Sequence, residues 1–211
     1  MKLYHYDHCP YCVRTRMIIG WKNLEVEEII LANADEQSHY DLIGAKMVPI
    51  LEKDDGSRMK ESLDIVAYID ANYGPPLLRS GTEEGLEPWL EKSADPIRHL
   101  VHPRNIRVFT QDFPTQADCD YYEAKKSQSI GSFAAAFADS ERYIERVAAL
   151  MDELKSLLPA DDVRSYDDIF LFPVLRSVSH VKGLLFPREV YSYMERISRE
   201  TKVPLLFEQA I

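Results

Sequence analysis

The spacing of apolar positions changes near residue 80 of the 211-residue chain. Before that point, short strand-like and helix-like patterns alternate. Leu3 and His5 alternate with Tyr4 and Tyr6, which predicts a first strand. Val13, Met17 and Ile18 fall near helical spacing and predict a helix from about Tyr11 that stops at Gly20. Glu25 to Leu31 reads as a second, buried strand. Asn33 to Gly44 is weakly helical, with Tyr40 and Ile43 on the inner side and Gly44 as the stop. A third strand begins at Val48-Pro49-Ile50-Leu51, and Asp54-Asp55-Gly56-Ser57 turns the chain into a short partner strand, Arg58-Met59-Lys60. From Ser62 onward, Leu63, Val66, Ile69 and Tyr73 recur at helical spacing. The order β-α-β-α-β-β-α predicts an α/β domain over residues 1–72.

Residues 73–81 contain Gly74-Pro75-Pro76 and Gly81 and predict a linker, because prolines between glycines suit neither a helix interior nor a central strand. Residues 82–211 then read as an all-helical C-terminal domain. Pro88, Pro96 and Pro103 predict a late start or a kink in its first long helix, and Thr115 to Ala138 reads as the next. Tyr143, Ile144, Val147, Leu150, Met151, Leu154, Leu157 and Leu158 form the cleanest apolar face. Ser165 with Asp168 has the form of a capping box, ahead of a helix that Pro173 is predicted to kink. A last helix follows Pro187, and the apolar tail Val203 to Phe207 is predicted to pack back on the body.

Net charge is −10, and no block of Lys and Arg forms a basic stripe, so neither nucleic acid nor an anionic membrane is predicted as a partner. No apolar run approaches the ~18 residues of a membrane span, and the first residues enter a strand rather than a leader, which predicts a cytoplasmic protein. Three cysteines, Cys9, Cys12 and Cys119, are too few for a disulfide scaffold.

Cys9-Pro10-Tyr11-Cys12 stands where the first strand hands over to the first helix. With Cys9 as N-cap, Pro10 occupies the first helical position, where its missing N–H costs nothing. The free N–H groups of the first turn and the helix dipole then favour the Cys9 thiolate. Cys12, one turn deeper, is predicted to be less exposed and less acidic. Cys9 is therefore the expected nucleophile and Cys12 the resolving thiol. A zinc site needs two further ligands: Cys119 is alone, His39, His99, His102 and His180 show no paired spacing, and of the close pair His5 and His8 one lies in the strand and the other precedes the helix, so no metal is predicted. Val48-Pro49, at a strand start, leaves the Val48 backbone available to an extended peptide. Glu61-Ser62 opens a helix whose N–H groups suit a carboxylate, although an ordinary N-cap is the commoner use of serine there.

Tyr6-Asp7-His8-Cys9-Pro10-Tyr11-Cys12, Met47-Val48-Pro49-Ile50-Leu51 and Glu61-Ser62-Leu63-Asp64-Ile65-Val66 resemble glutaredoxin. With the helical second domain, the whole chain is similar to the bacterial glutaredoxin 2 family, which has a glutathione-transferase-like architecture. The resemblance implies a thioredoxin-like N-terminal domain and glutathione-dependent reduction of protein disulfides and glutathione mixed disulfides. Glutathione would be the co-substrate and glutathione reductase the upstream electron source. It further implies a cis Pro49, Val48 paired with the cysteinyl backbone of glutathione, and Glu61 and Ser62 at its γ-glutamyl end. Cys9 would form the mixed disulfide, with Pro10 and Tyr11 beside it. Met47 replaces a polar residue common among relatives. Arg14 and Arg16 either raise the local potential or are plain solvated charges. Two rivals remain: a cysteine-type glutathione transferase, and a non-catalytic binding protein on the same fold. Trp89, Tyr121, Tyr122, Phe133 and Phe137 are assigned mainly to the core, and Cys119 to a bystander position among polar neighbours.

Overall fold

The computed structural model describes residues 1–81 and 83–211. Its first part follows the predicted order: β1 (Lys2–His5), α1 (Pro10–Trp21), β2 (Glu27–Ile30), α2 (Glu36–Ile43), β3 (Ile50–Glu52), β4 (Arg58–Met59) and α3 (Ser62–Asn72). The four strands form one sheet in the order β2-β1-β3-β4. β1 and β2 are parallel, β3 runs antiparallel to β1, and β4 antiparallel to β3. β1 and β4 therefore end, and β3 begins, at one and the same edge of the sheet. The start of α1, the entry to β3 and the start of α3 all lie along that edge.

Three local expectations change. β2 is an outer strand, so it is not buried: Glu27 and Glu28 are exposed, and Ile29 and Ile30 are only half covered. α1 continues through Gly20 to Trp21. A Cβ on Gly20 would lie 1.8 Å from the Thr201 carbonyl oxygen, so this glycine marks a close approach of two backbones. On α2 the inward residue is His39, and Tyr40 is exposed, whereas Gly44 does end the helix, at φ +69°.

The second part contains α4 (Leu86–Val108), α5 (Gln116–Ile130), α6 (Phe133–Ala138), α7 (Ser140–Leu154), α8 (Tyr166–Val178) and α9 (Arg188–Thr201). Its predicted first residue, Thr82, lies outside the described residues. α4 starts late, as the prolines suggested, and then runs through both Pro96 and Pro103. The helix predicted over 115–138 is two helices, broken at Gly131. One exception interrupts the helical run: Arg164–Ser165 (β6) pairs in parallel with Leu78–Arg79 (β5), inside the predicted linker. That connection is held further by Asp70, whose carboxylate accepts from the Leu77 and Leu78 N–H groups at 2.8 and 3.1 Å. Lys22 Nζ donates to the carbonyls of Asp70 and Pro75. Leu3, Met17 and Ile69 of the first part share one continuous core with Leu100, Met151, Phe172 and Ile197 of the second. In the tail, Val203 and Leu206 are buried, as their apolarity predicted.

The capping box at the start of α8 forms. Asp168 is fully buried and accepts from Ser165 N at 2.9 Å, Ser165 Oγ at 3.3 Å and Tyr193 OH at 3.0 Å. Burial pushes its carboxyl pKa up, and the hydrogen bonds from Ser165 and Tyr193 oppose that shift. Asp168→Ala leaves these donors buried without an acceptor, and is expected to cost about 2–4 kcal/mol in urea denaturation. A loss below ~0.5 kcal/mol, the range of ordinary surface substitutions, contradicts this account.

Candidate active site

Cys9 is the N-cap of α1, at φ −80° and ψ 120°, and Pro10 is the first helical residue. The Cys9 carbonyl accepts the first helical bond, from Val13 N at 3.1 Å. Cys12 is fully buried and Cys9 half-buried, so Cys9 is the more accessible residue of the pair. Tyr11, 54% exposed, stands on the open side of the pair.

The two thiols have opposite acidities. The Cys9 pKa is lowered to about 6. The largest cause is a hydrogen bond from the Cys12 side chain; burial opposes it, while His8 and the Cys12 and Tyr11 backbone N–H groups add to it. Burial first, and then the hydrogen bond to Cys9, push the Cys12 thiol well up. The asymmetry matches the sequence expectation, but its main cause differs. The helix start contributes, and the neighbouring thiol contributes more.

The Val48–Pro49 peptide is cis. Tyr4 faces Ile50 across the sheet, so the same register carried one or two residues further brings Pro49 and Val48 level with His5 and Tyr6, the exit of β1 toward Cys9. Glu61 is the N-cap of α3 at φ +67°, a left-handed conformation that costs a non-glycine residue roughly 1–3 kcal/mol and collects at functional sites. Ser62 is the first helical residue, not the cap, and is buried. No side-chain hydrogen bond caps α3, so the ordinary N-cap reading of Ser62 is corrected. The topology thus brings Cys9, Pro10, Tyr11 and Cys12 to the same sheet edge as Val48, Pro49, Glu61 and Ser62.

Neither arginine of α1 is a solvated charge. The Arg14 guanidinium lies between the rings of Tyr11 and Phe170, at 4.8 and 4.9 Å, and burial lowers its pKa. Arg16 pairs with Asp7 Oδ1 at 2.6 Å and Glu28 Oε2 at 3.1 Å. Trp89, Tyr122 and Phe133 are buried, as assigned. Tyr121 instead donates to Glu36 of α2 at 2.5 Å, and Phe137 lies under Arg104 and Arg107. Cys119 packs against a small apolar cluster with Phe109, Phe113 and Leu206, and burial, together with neighbouring Asp118 and Asp120, raises its pKa. Among the described residues, no group of three or more His, Cys, Asp and Glu is arranged to hold a metal ion. Among them, no helix is long and apolar enough to cross a membrane.

Two residues of the helical part carry no local sequence signal and yet hold the turn before Cys9. Fully buried Asp112 accepts from Asp7 N, His8 N and His8 Nδ1, and buried Arg176 donates to the Asp7 carbonyl and carboxylate.

The family model for the glutaredoxin 2 C-terminal domain matches residues 85–210, and that for the glutathione S-transferase N-terminal domain matches residues 3–77. The chain is 39% identical over 215 residues to glutaredoxin 2 of Escherichia coli strain K12, covering 100% of both. It belongs to the glutaredoxin 2 family. Among solved structures, glutaredoxin 2 from Salmonella typhimurium in complex with glutathione is 40% identical, with a TM-score of 0.95 over 100% of this chain and 98% of that one. FzlA from C. crescentus, 17% identical with a TM-score of 0.62 over 98% and 91% of the two chains, shares the fold alone. The glutaredoxin 2 architecture is a thioredoxin-like domain followed by a helical domain, arranged as in glutathione transferases.

Proposed function

We propose that this glutaredoxin 2 family member reduces glutathione mixed disulfides and protein disulfides through Cys9 and Cys12. It is a glutathione-dependent oxidoreductase. The observation that carries the residue assignment is the thiol pair itself: a half-buried Cys9 with its pKa lowered to about 6, hydrogen-bonded to a buried Cys12 pushed the other way. At neutral pH, Cys9 is then mostly thiolate, the attacking species.

The Cys9 thiolate attacks a sulfur of the substrate disulfide, forms a new S–S bond and expels the other sulfur as a thiolate. With a glutathionylated protein, the protein thiolate leaves and glutathione stays on Cys9. A second glutathione thiolate then releases oxidised glutathione and regenerates the Cys9 thiolate. With a protein disulfide, Cys12 loses its proton and attacks the Cys9 mixed disulfide. The substrate leaves reduced, the enzyme carries a Cys9–Cys12 disulfide, and two glutathione molecules restore the dithiol. Glutathione reductase recycles the oxidised glutathione in this scheme.

Glutathione lies along the shared sheet edge. The Val48 backbone beside cis Pro49 pairs with its cysteinyl residue, and Glu61, Ser62 and the first turn of α3 take its γ-glutamyl end. Pro10 and exposed Tyr11 flank the sulfur. Residues 1–72 form the glutathione-binding domain, 73–81 the linker and 82–211 the domain that limits access to Cys9. The absence of a spanning helix among the described residues fits action in the cytoplasm.

The alkylation rate of Cys9 by iodoacetamide, followed on its own peptide by mass spectrometry, tests the assignment. Below about pH 6 the thiol predominates, so the rate rises about tenfold per pH unit; above it the thiolate predominates and the rate levels off. A rate still climbing toward pH 9, as for an unperturbed thiol, contradicts the nucleophile assignment. A glutathione transferase has no use for Cys12. Faster turnover of an aryl halide than of a glutathionyl mixed disulfide would favour that reading.

A further inference from the structure

His8, next to the reacting sulfur, is held from the other domain. Asp112 lies between α4 and α5 and is fully buried. Its Oδ1 accepts from Asp7 N at 2.9 Å, and its Oδ2 accepts from His8 N at 2.8 Å and from the His8 ring at Nδ1 at 2.6 Å. A carboxylate only accepts, so Nδ1 carries the proton and the ring is fixed by a charged acceptor. The Asp112 main-chain carbonyl accepts from Asn33 N at 2.8 Å, tying the same residue to the loop before α2. The His8 ring is also fixed on its faces: it stacks on Tyr6 at 5.4 Å and meets Phe113 at 5.0 Å and Tyr122 at 5.2 Å.

We propose that Asp112 is a positioning residue for Cys9, acting through His8: the helical domain fixes the ring and the turn that precede the reacting thiol, and so sets that thiol's reactivity. The inference rests on Cys9 as the reacting group. The His8 ring, one residue from Cys9, favours the Cys9 thiolate. The Asp112 carboxylate holds that ring in place, at 2.6 Å and out of water. Arg176 secures the same turn from α8, with Nη1 on the Asp7 carbonyl and Nη2 on Asp7 Oδ1, both at 2.7 Å. The other titratable groups around His8 are Tyr6 at the end of β1, Tyr122 of α5, His102 of α4 and His180 after α8. Tyr122 OH bonds to His102 Nδ1 at 2.9 Å, and burial lowers the pKa of both His102 and His180 to about 3, so neither brings a positive charge to the cluster at neutral pH. The charged acceptor on the His8 ring is Asp112.

The test is the pH–rate profile of Cys9 alkylation by iodoacetamide, without glutathione, in His8→Phe, Asp112→Asn and the double variant. Phenylalanine keeps the ring stack and removes the nitrogens. In His8→Phe the midpoint is expected to move from about 6 to roughly 7, so alkylation at pH 6 falls about fivefold while the rate at pH 9.5 stays within ~30%. Asp112→Asn is expected to move it the same way, and the double variant no further than His8→Phe. A purely structural role would lower stability and leave the midpoint alone. Folded variants with the wild-type midpoint, or a double variant shifted by the sum of the singles, overturn the proposal. Should Asp112→Asn fail to fold, His8→Phe and Asp112→Glu decide: the proposal requires a raised midpoint in the first and a midpoint closer to wild type in the second. Any other pair of values overturns it. A wild-type midpoint near 9 would instead overturn the assignment of Cys9 and take this inference with it.

Discussion

Cys9→Ser is expected to lower glutathione-dependent reduction of a glutathionylated peptide by roughly a thousandfold or more, to the uncatalysed rate. A serine hydroxyl at the N-cap of α1 keeps the helix start and forms no thiolate, so the S–S exchange has no attacking group. The companion variants separate the roles of the pair. Cys12→Ser is expected to keep deglutathionylation within about tenfold and to lower reduction of a protein disulfide about a hundredfold, because only the second reaction needs an internal resolving thiol. Serine also keeps a donor toward Cys9. Cys12→Ala does not, and since that donor is the largest cause of the low Cys9 pKa, alanine is expected to raise the alkylation midpoint where serine largely retains it. Coupled assays with glutathione and glutathione reductase read both activities. Full activity of Cys9→Ser would remove Cys9 from the chemistry. Equal loss of both reactions in Cys12→Ser would end the division of roles.

Gly20→Ala is expected to lower the melting temperature by roughly 5–10 °C, corresponding to about 2–3 kcal/mol. In an isolated helix the change would stabilise by up to ~1 kcal/mol, because alanine is the better helix former. Here the added Cβ would lie 1.8 Å from the Thr201 carbonyl oxygen and 2.5 Å from its carbon. Both are backbone atoms, so no side chain can rotate away, and α1 and α9 must separate by more than an ångström. The position is eleven residues from Cys9, about 16 Å along the helix axis, so the Cys9 alkylation profile is expected to stay as in the wild type. A melting temperature at or above the wild-type value would mean that helix propensity outweighs the contact and that the two helices are not closely packed there.

Gly20 also illustrates what a chain position conceals. In sequence it stands at the end of an apolar helical run and reads as a stop; in the fold it is a contact with a residue 181 positions later. β2 misleads for a similar reason. Its run Glu25 to Leu31 is apolar enough for a buried strand, but being buried depends on neighbours, and β2 has one only on the β1 side. Gly131, by contrast, divides α5 from α6 with a backbone at φ +74°, although the sequence from Thr115 to Ala138 reads as one helix. The capping box of Ser165 and Asp168 was legible because all its atoms lie within four consecutive residues.

The same distinction holds at the active site. Local sequence determined the β-α-β-α-β-β-α order, the N-cap placement of Cys9, the Pro10 helix start and the deeper burial of Cys12, because each depends on residues within a turn or two. Convergence of Cys9, Val48-Pro49 and Glu61-Ser62 was implied by motif resemblance, and strand direction accounts for it. Only the tertiary structure decided what surrounds the turn before Cys9. Asp112 and Arg176 stand 104 and 169 residues from the groups they hold, in segments whose own patterns speak only of a loop and an apolar helix. Hydrogen bonds to a buried carboxylate or guanidinium need the two partners within about 3 Å and shielded from water, and only the packing of one domain on the other supplies both.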